Sequence, residues 1–211
     1  MMLVDASEKF ELVVATVSSH EGAERQLREA HEALSENGSL FLIADWDLSY
    51  VLKPLADRVF TNEKSLRNEI VWCERGAGDR ADIHRTVLWY VKDAQRSSFV
   101  PLEMPRSAET VKRFGDGRIV SSKNARTGKR APPRVEGASL STLLNDVWVW
   151  DCSRGGWQYD PEMIDGRAQL STLSLNPHGK KTQSEEALLE RIANLAGFES
   201  ASSSGILYSR W

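Results

Sequence analysis

Thr16, Val17, Ser18 and Ser19 follow an apolar run and end in small polar side chains, where a strand opens into a ligand site in many α/β proteins. Their hydroxyls can exchange hydrogen bonds. The segment has no carboxylate to take a proton and no ring to stack on a base. Asp45 closes a second apolar run and Trp46 follows it. A carboxylate in that place either faces a ligand or caps the next helix. Tyr50 and Lys53 fall on that helix and read as core packing plus a solvated lysine. His84 opens a strand pattern, and a lone histidine there reads as a structural hydrogen-bonding residue. Trp150 and Trp157 flank a Gly-containing turn and are candidates for stacking on a nucleotide.

Charge supplies a second kind of chemistry. Arg106, Lys112, Arg113, Arg118, Lys123, Arg126, Lys129, Arg130 and Arg134 are opposed in their interval only by Glu109 and Asp116. Such a stretch can neutralise phosphates and reach guanine edges. Its blander reading is a solvated loop, and its Gly, Pro and Ser content would let it order on binding. Cys73 and Cys152 are the only cysteines. Two isolated thiols make neither a zinc pattern nor a disulfide framework, so no metal site is expected and a reducing compartment is.

Periodicity gives the elements that position these residues. Residues 10–15 read as a buried strand and 22–35 as an amphipathic helix, with Ala23, Leu27, Ala30 and Leu34 at helical spacing. Asn37-Gly38 reads as a helix stop and turn. Residues 39–44 read as a strand and 48–60 as a helix that Pro54 should kink or start. Residues 68–73 and 86–92 read as two more strands. The order suggests an α/β domain with a largely parallel sheet, its ligand edge lined by residues 16–19, by Asp45 and Trp46, and by the loop 74–83, which carries Gly76 and Gly78. Residues 96–134 break the pattern and 160–181 read as loop. Residues 145–151 are a short strand with Trp148 and Trp150 alternating. A helix over 183–196 carries a capping box, Thr182 with Glu185, and stops at Gly197. Residues 206–208 read as an edge strand.

The chain has 211 residues, net charge −3, 41% hydrophobic and 27% charged residues. That is one domain, with room for an inserted lobe and a core independent of disulfides. Overall acidity argues mildly against nucleic-acid binding. No apolar run approaches the roughly 18 residues of a membrane span, and no signal core opens the chain, so a cytoplasmic protein is expected.

Leu66-Arg67-Asn68-Glu69-Ile70-Val71-Trp72, His84-Arg85-Thr86-Val87-Leu88-Trp89-Tyr90 and Thr182-Gln183-Ser184-Glu185-Glu186-Ala187-Leu188-Leu189 resemble the framework of DNA amino-methyltransferases, in the order that puts the catalytic strand first. Gly38-Ser39-Leu40-Phe41-Leu42-Ile43-Ala44-Asp45-Trp46 resembles the family strand ending in aspartate, and Asn145-Asp146-Val147-Trp148 the segment after target recognition. The resemblance implies a Rossmann-like S-adenosylmethionine-dependent methyltransferase fold, incomplete at the C-terminal cofactor half. It implies a catalytic-strand half at 1–95, a basic target-recognition-like insertion at 96–142 and a return segment with the cofactor-side helix at 143–211. Asp45, Thr182 and Gln183 take the cofactor-binding places, and Lys112, Arg113, Arg118, Lys123, Arg126, Lys129 and Arg130 the DNA-binding ones.

The departures fall on the chemistry. The family's tetrapeptide is Asp (or Asn or Ser)-Pro-Pro-aromatic. It orients the target amine and stacks on the flipped base. The matching positions here are Thr16, Val17, Ser18 and Ser19. Ser184 and Glu185 stand where the family's helix has lysine and proline. Residues 198–205 lack the aspartate and repeated glycines of its cofactor turn. The expectation is therefore a degenerate methyltransferase, a DNA-binding or partner subunit with little independent activity. The alternatives are an active enzyme completed by a second subunit, and a protein-interaction module without nucleic-acid binding.

Overall fold

Continuous apolar runs build the centre of the molecule. The computed structural model describes residues 9–62, 64–75, 83–97, 99–105, 112, 117–120, 134–138, 141–143, 147–151, 156–157 and 184–211. They form β1 (Phe10–Val17), α1 (Ala23–Ala33), β2 (Leu34–Asp45), α2 (Trp46–Val59), β3 (Leu66–Arg75) and β4 (Ile83–Val91). Then come β5 (Glu103–Pro105), β6 (Gly117–Val120), β7 (Arg134–Ala138), β8 (Ser141–Leu143), β9 (Val147–Asp151), β10 (Gly156–Trp157), α3 (Ser184–Leu195) and β11 (Ile206–Arg210).

Seven strands make one sheet in the order β10-β9-β3-β4-β2-β1-β11. The β1–β11, β1–β2 and β3–β9 pairs are parallel, and the β2–β4, β3–β4 and β9–β10 pairs antiparallel. Thus β11, β1, β2, β3 and β9 share one direction while β4 and β10 run against them. The sheet is mostly parallel in direction, as expected, with β4 inserted in reverse between β2 and β3.

Both faces of the sheet are covered, which is why its central strands read as unbroken apolar runs. Val13, Ala15, Val17, Leu40, Leu42, Leu88 and Tyr90 pack in one core with the buried stripe of α1, Ala23, Leu27, Ala30 and Ala33, and with Leu52 and Ala56 of α2. Leu12, Val14, Phe41, Ile43, Ile70, Trp72 and Val87 pack in a second core with Ala187, Leu188 and Ile192 of α3.

The boundaries of α1, β2 and α2 differ from the sequence reading in ways that bear on the site. α1 stops at Ala33, because the fully buried Leu34 turns extended (ψ 139°) and pairs with Phe10. Asn37 and Gly38 lie inside β2, not in a turn that precedes it. The register jumps from Phe10↔Leu34 to Leu12↔Ser39, so residues 35–38 bulge out of the ladder. Lys92 closes the bulge, its Nζ donating to the Leu34 carbonyl at 2.8 Å and its N–H to that of Gly38 at 3.0 Å. A Cβ at position 38 would lie 2.9 Å from Leu34 Cδ2 and 3.0 Å from the main-chain oxygens of both Phe10 and Ser35. Two of those neighbours are backbone and cannot swing aside. Gly38→Ala should therefore lose about 1–3 kcal/mol, read from the urea midpoint; an unchanged midpoint would show that the bulge has slack.

α2 begins at Trp46, and Pro54 lies within it rather than at its start. A phenol fastens this helix to the sheet. Tyr90 Oη donates to Asp57 Oδ1 at 2.7 Å, and Phe60 packs 5.1 Å from the Tyr90 ring. Burial, then the Asp57 bond, pushes the Tyr90 pKa far above the usual tyrosine value. At the α1–α2 contact, the His31 ring meets Phe60 edge-on at 4.9 Å. Burial, then Lys92, pulls its pKa below the usual histidine value.

Residues 96–134 read as patternless, but short strands are present. β5 pairs antiparallel with β8, and β6 with β7. Three to five residues are too few to show a period between Gly and Pro. The expected loop at 160–181 and the capping residue Thr182 lie outside the described residues. α3 ends as the sequence indicates, at Gly197 (φ 91°), with Phe198 N–H donating to the Ala193 carbonyl at 2.9 Å.

Candidate active site

The shared direction of β11, β1, β2, β3 and β9 gathers their carboxyl ends on one edge. Thr16 and Val17 end β1 there, Asp45 ends β2, Arg210 ends β11, and the reversed β4 begins there with His84 and Arg85. Residues 16–19 and the Asp45-Trp46 pair therefore come together as the sequence suggests. Residues 76–82 of the third expected segment lie outside the described residues.

The first segment is engaged in its own structure. Val17 is 3% exposed and belongs to the core under α1 and α2. Thr16 is half-buried, and its carbonyl accepts the Trp211 N–H at 2.8 Å. Ser18 is exposed, yet its N–H and its hydroxyl both donate to the Trp211 main-chain oxygen, each at 2.8 Å. Ser19 Oγ accepts the Glu21 N–H at 3.1 Å. These contacts close the turn after β1 and latch it to the end of β11. None of the four side chains adds charge or a ring.

Asp45 is in the N-cap position of α2 but makes no side-chain capping bond there. Its Oδ1 lies 3.3 Å from Arg85 Nε, across the β2–β4 rung that pairs the two residues. Arg85 in turn lies over the Trp72 ring, 5.3 Å from its centroid. The carboxylate itself is 70% exposed, so solvent screening leaves this ion pair worth little to stability. Trp46 is also exposed, with its ring 6.3 Å from the exposed His84 imidazole. Tyr50 is 70% exposed, which corrects its assignment to the core. Lys53 is bound to Asp57 at 3.1 Å. Sequence reasoning missed Arg85, which only the antiparallel β2–β4 register brings to Asp45.

The tryptophans expected as stacking candidates are spent elsewhere. Trp150 and Trp157 are 5% and 2% exposed and meet edge-on at 5.3 Å. The buried Arg191 of α3 lies 3.5 Å over Trp157 and 5.5 Å from Trp148. A guanidinium already covers the face that a base would need.

The cofactor side differs more. α3 starts at the ligand edge, where Glu185 lies 3.6 Å from Arg210. Thr182 and Gln183 lie outside the described residues. The turn at 198–205, compared above with the family's cofactor turn, is at the opposite edge. Gly205 accepts the Glu11 and Leu12 N–H groups at the start of β1, at 3.1 and 3.2 Å. The turn is also internally satisfied, with Glu190 Oε2 accepting the Ala201 N–H at 2.7 Å and Tyr208 Oη donating to the Ala201 carbonyl at 2.8 Å. Burial, then Glu190, pushes the Tyr208 pKa up to about 12. At the ligand edge the Ser18 hydroxyl donates to Trp211 and the Ser19 hydroxyl accepts from Glu21, while the turn at 198–205 lies at the other edge.

Of the basic stretch, Lys112 is exposed, while Arg118 lies on β6 and Arg134 on β7, in the register Arg118↔Glu136 and Val120↔Arg134. Arg113, Lys123, Arg126, Lys129 and Arg130 lie outside the described residues. Among the described residues, no group of three or more His, Cys, Asp or Glu could hold a metal, and no helix is long and apolar enough to cross a membrane.

No protein-family model matches the chain, and no curated protein does. Solved structures are similar to it at low identity. M1.HpyAVI is 9% identical with a TM-score of 0.44, covering 96% of this chain and 81% of that one. A complex of M1.HpyAVI with SAM is 12% identical with a TM-score of 0.34, covering 45% of this chain. This chain spans 50% of the M1.HpyAVI chain in that complex. TTHA0409 of Thermus thermophilus, described as a DNA modification methylase, is 13% identical with a TM-score of 0.31, covering 52% of this chain and 54% of that one.

Proposed function

We propose that the chain is a DNA-methyltransferase-like scaffold that contacts DNA and transfers little or no methyl by itself, serving as a DNA-binding or partner subunit. The observation that carries this reading is the state of residues 16–19. They stand at the ligand edge of a mostly parallel sheet, where the resemblance puts the catalytic tetrapeptide. The Ser18 hydroxyl fastens the end of β11 and the Ser19 hydroxyl closes the turn after β1. A target amine needs an acceptor that fixes its lone pair and a ring that holds the flipped base. This segment offers only neutral hydroxyl and main-chain acceptors, and it has no ring.

DNA contact rests on the basic stretch. Net charge is a poor guide to a local patch, and an antiparallel ribbon such as β6–β7, with Arg118 and Arg134, has the width to enter a major groove. Duplex affinity measured across a salt series tests it. Lys129→Ala with Arg130→Ala should weaken binding evenly across sequences and flatten the salt slope by about two. An unchanged slope would retire both residues as phosphate contacts. For the partner role, β11 pairs only with β1 among the described residues, so its outer rim is where a strand of another subunit would add.

A further inference from the structure

We infer that Trp46 and Tyr50 form a stacking platform for an unpaired base of single-stranded DNA. The inference rests on the DNA-contacting reading above and names the groups that would hold the base. Trp46 is 61% exposed and Tyr50 70%, whereas Trp72, Trp89, Trp148, Trp150 and Trp157 are all at most 6% exposed. Spaced i and i+4 on the first turns of α2, the two side chains are surface neighbours on one helix face. Large rings left in water at the ligand edge of a sheet call for an occupant.

The register places this pair beside the defective segment. Val17 pairs with Ala44, so Ser18 and Ser19 leave β1 next to where Asp45 and Trp46 leave β2. Neighbouring strands lie about 4.8 Å apart. The ring missing at Ser19 is thus matched by a ring at the end of the adjacent strand. The rim is polar. It carries the exposed Asp45 carboxylate, which can accept from an exocyclic amine, the Arg85 guanidinium bound to it, and the His84 imidazole 6.3 Å from Trp46. A flat occupant with a hydrogen-bonding edge suits that combination. A folded partner suits it less, because two rings offer about 150–250 Å² each, well short of the roughly 800 Å² per partner of a stable interface.

The test uses the full chain and a single-stranded oligonucleotide with 2-aminopurine at its centre, a base whose fluorescence falls when it stacks. The native chain should bind it and quench the probe. Trp46→Ala and Tyr50→Ala should each weaken binding roughly 5- to 150-fold, and the double variant should abolish the quench. Trp46→Phe should keep most of both. Thermal midpoints should stay unchanged, since neither ring is in a core. No binding by the native chain, or equal binding and quench in the double variant, would overturn the platform. So would a dimer seen by sedimentation and dispersed by Trp46→Ala, which would make a second copy the occupant. Duplex affinity and its response to Lys129→Ala and Arg130→Ala report separately on the basic stretch, so either reading can fail alone.

Discussion

Purified chain incubated with duplex DNA and labelled S-adenosylmethionine should leave the DNA unlabelled. The expected deficit is large. Loss of the stacking ring alone costs about 1–3 kcal/mol per base, and the factor of ten per 1.4 kcal/mol compounds with each further loss of orientation. A charged acceptor and a rigid proline pair are missing as well, so turnover should be lower by several orders of magnitude than with the family tetrapeptide. The chain should also show no thermal shift with millimolar S-adenosylmethionine, where saturation at 100 times a dissociation constant would add about 2.7 kcal/mol.

Thr16→Asp, Val17→Pro, Ser18→Pro and Ser19→Phe made together should not rescue transfer. Proline at position 18 removes the N–H that donates to Trp211 and the hydroxyl that doubles that bond. The turn at 198–205 would still lie at the far edge. Label on DNA from the native chain would overturn the proposed function. Label from the restored variant alone would show that the tetrapeptide was the whole deficit.

Tyr90→Ala should lose about 3–5 kcal/mol, the usual range for truncating a fully buried aromatic side chain. Its ring fills the core between the sheet and α2, and its hydroxyl holds Asp57 of that helix. Tyr90→Phe keeps the ring and should lose only about 1 kcal/mol. The two variants also separate in alkali. The folded protein raises the Tyr90 pKa, so it holds this proton more tightly than the unfolded chain does. The resulting stabilisation is complete below the usual tyrosine value of about 10 and is lost as pH rises above it. Urea midpoints of the native chain should therefore fall more steeply above pH 10 than those of Tyr90→Phe. Tyr208 titrates in both proteins and cancels in the difference. Parallel curves would mean that the phenol is not stabilised as a neutral group.

The sheet's centre was legible because two-sided burial writes strands as plain apolar runs, such as Leu40 to Ala44. The α1 stripe was legible because its buried alanines keep helical spacing. The ligand edge followed from strand direction, which brought residues 16–19 and Asp45 together. What failed needed contacts distant in sequence. Asn37-Gly38 has the chemistry of a turn, and only its pairing with β1 makes it a bulge. Tyr50 has the chemistry of a core residue, and only the docking of α2 turns it to solvent. The turn at 198–205 precedes β11, and the parallel β1–β11 pairing puts it at the edge opposite residues 16–19.

That pairing also orders events in time. The bond from Ser18 to Trp211 joins groups 193 positions apart, so it forms only after β11 has been synthesised and has found β1. Loop closure over such a span is entropically disfavoured and depresses folding rates relative to local hairpins. β3–β4 can assemble early, whereas the margin holding residues 16–19 should be completed last. Pulse-labelling hydrogen exchange during refolding should find the Ser18 and Trp211 amides among the slowest to gain protection.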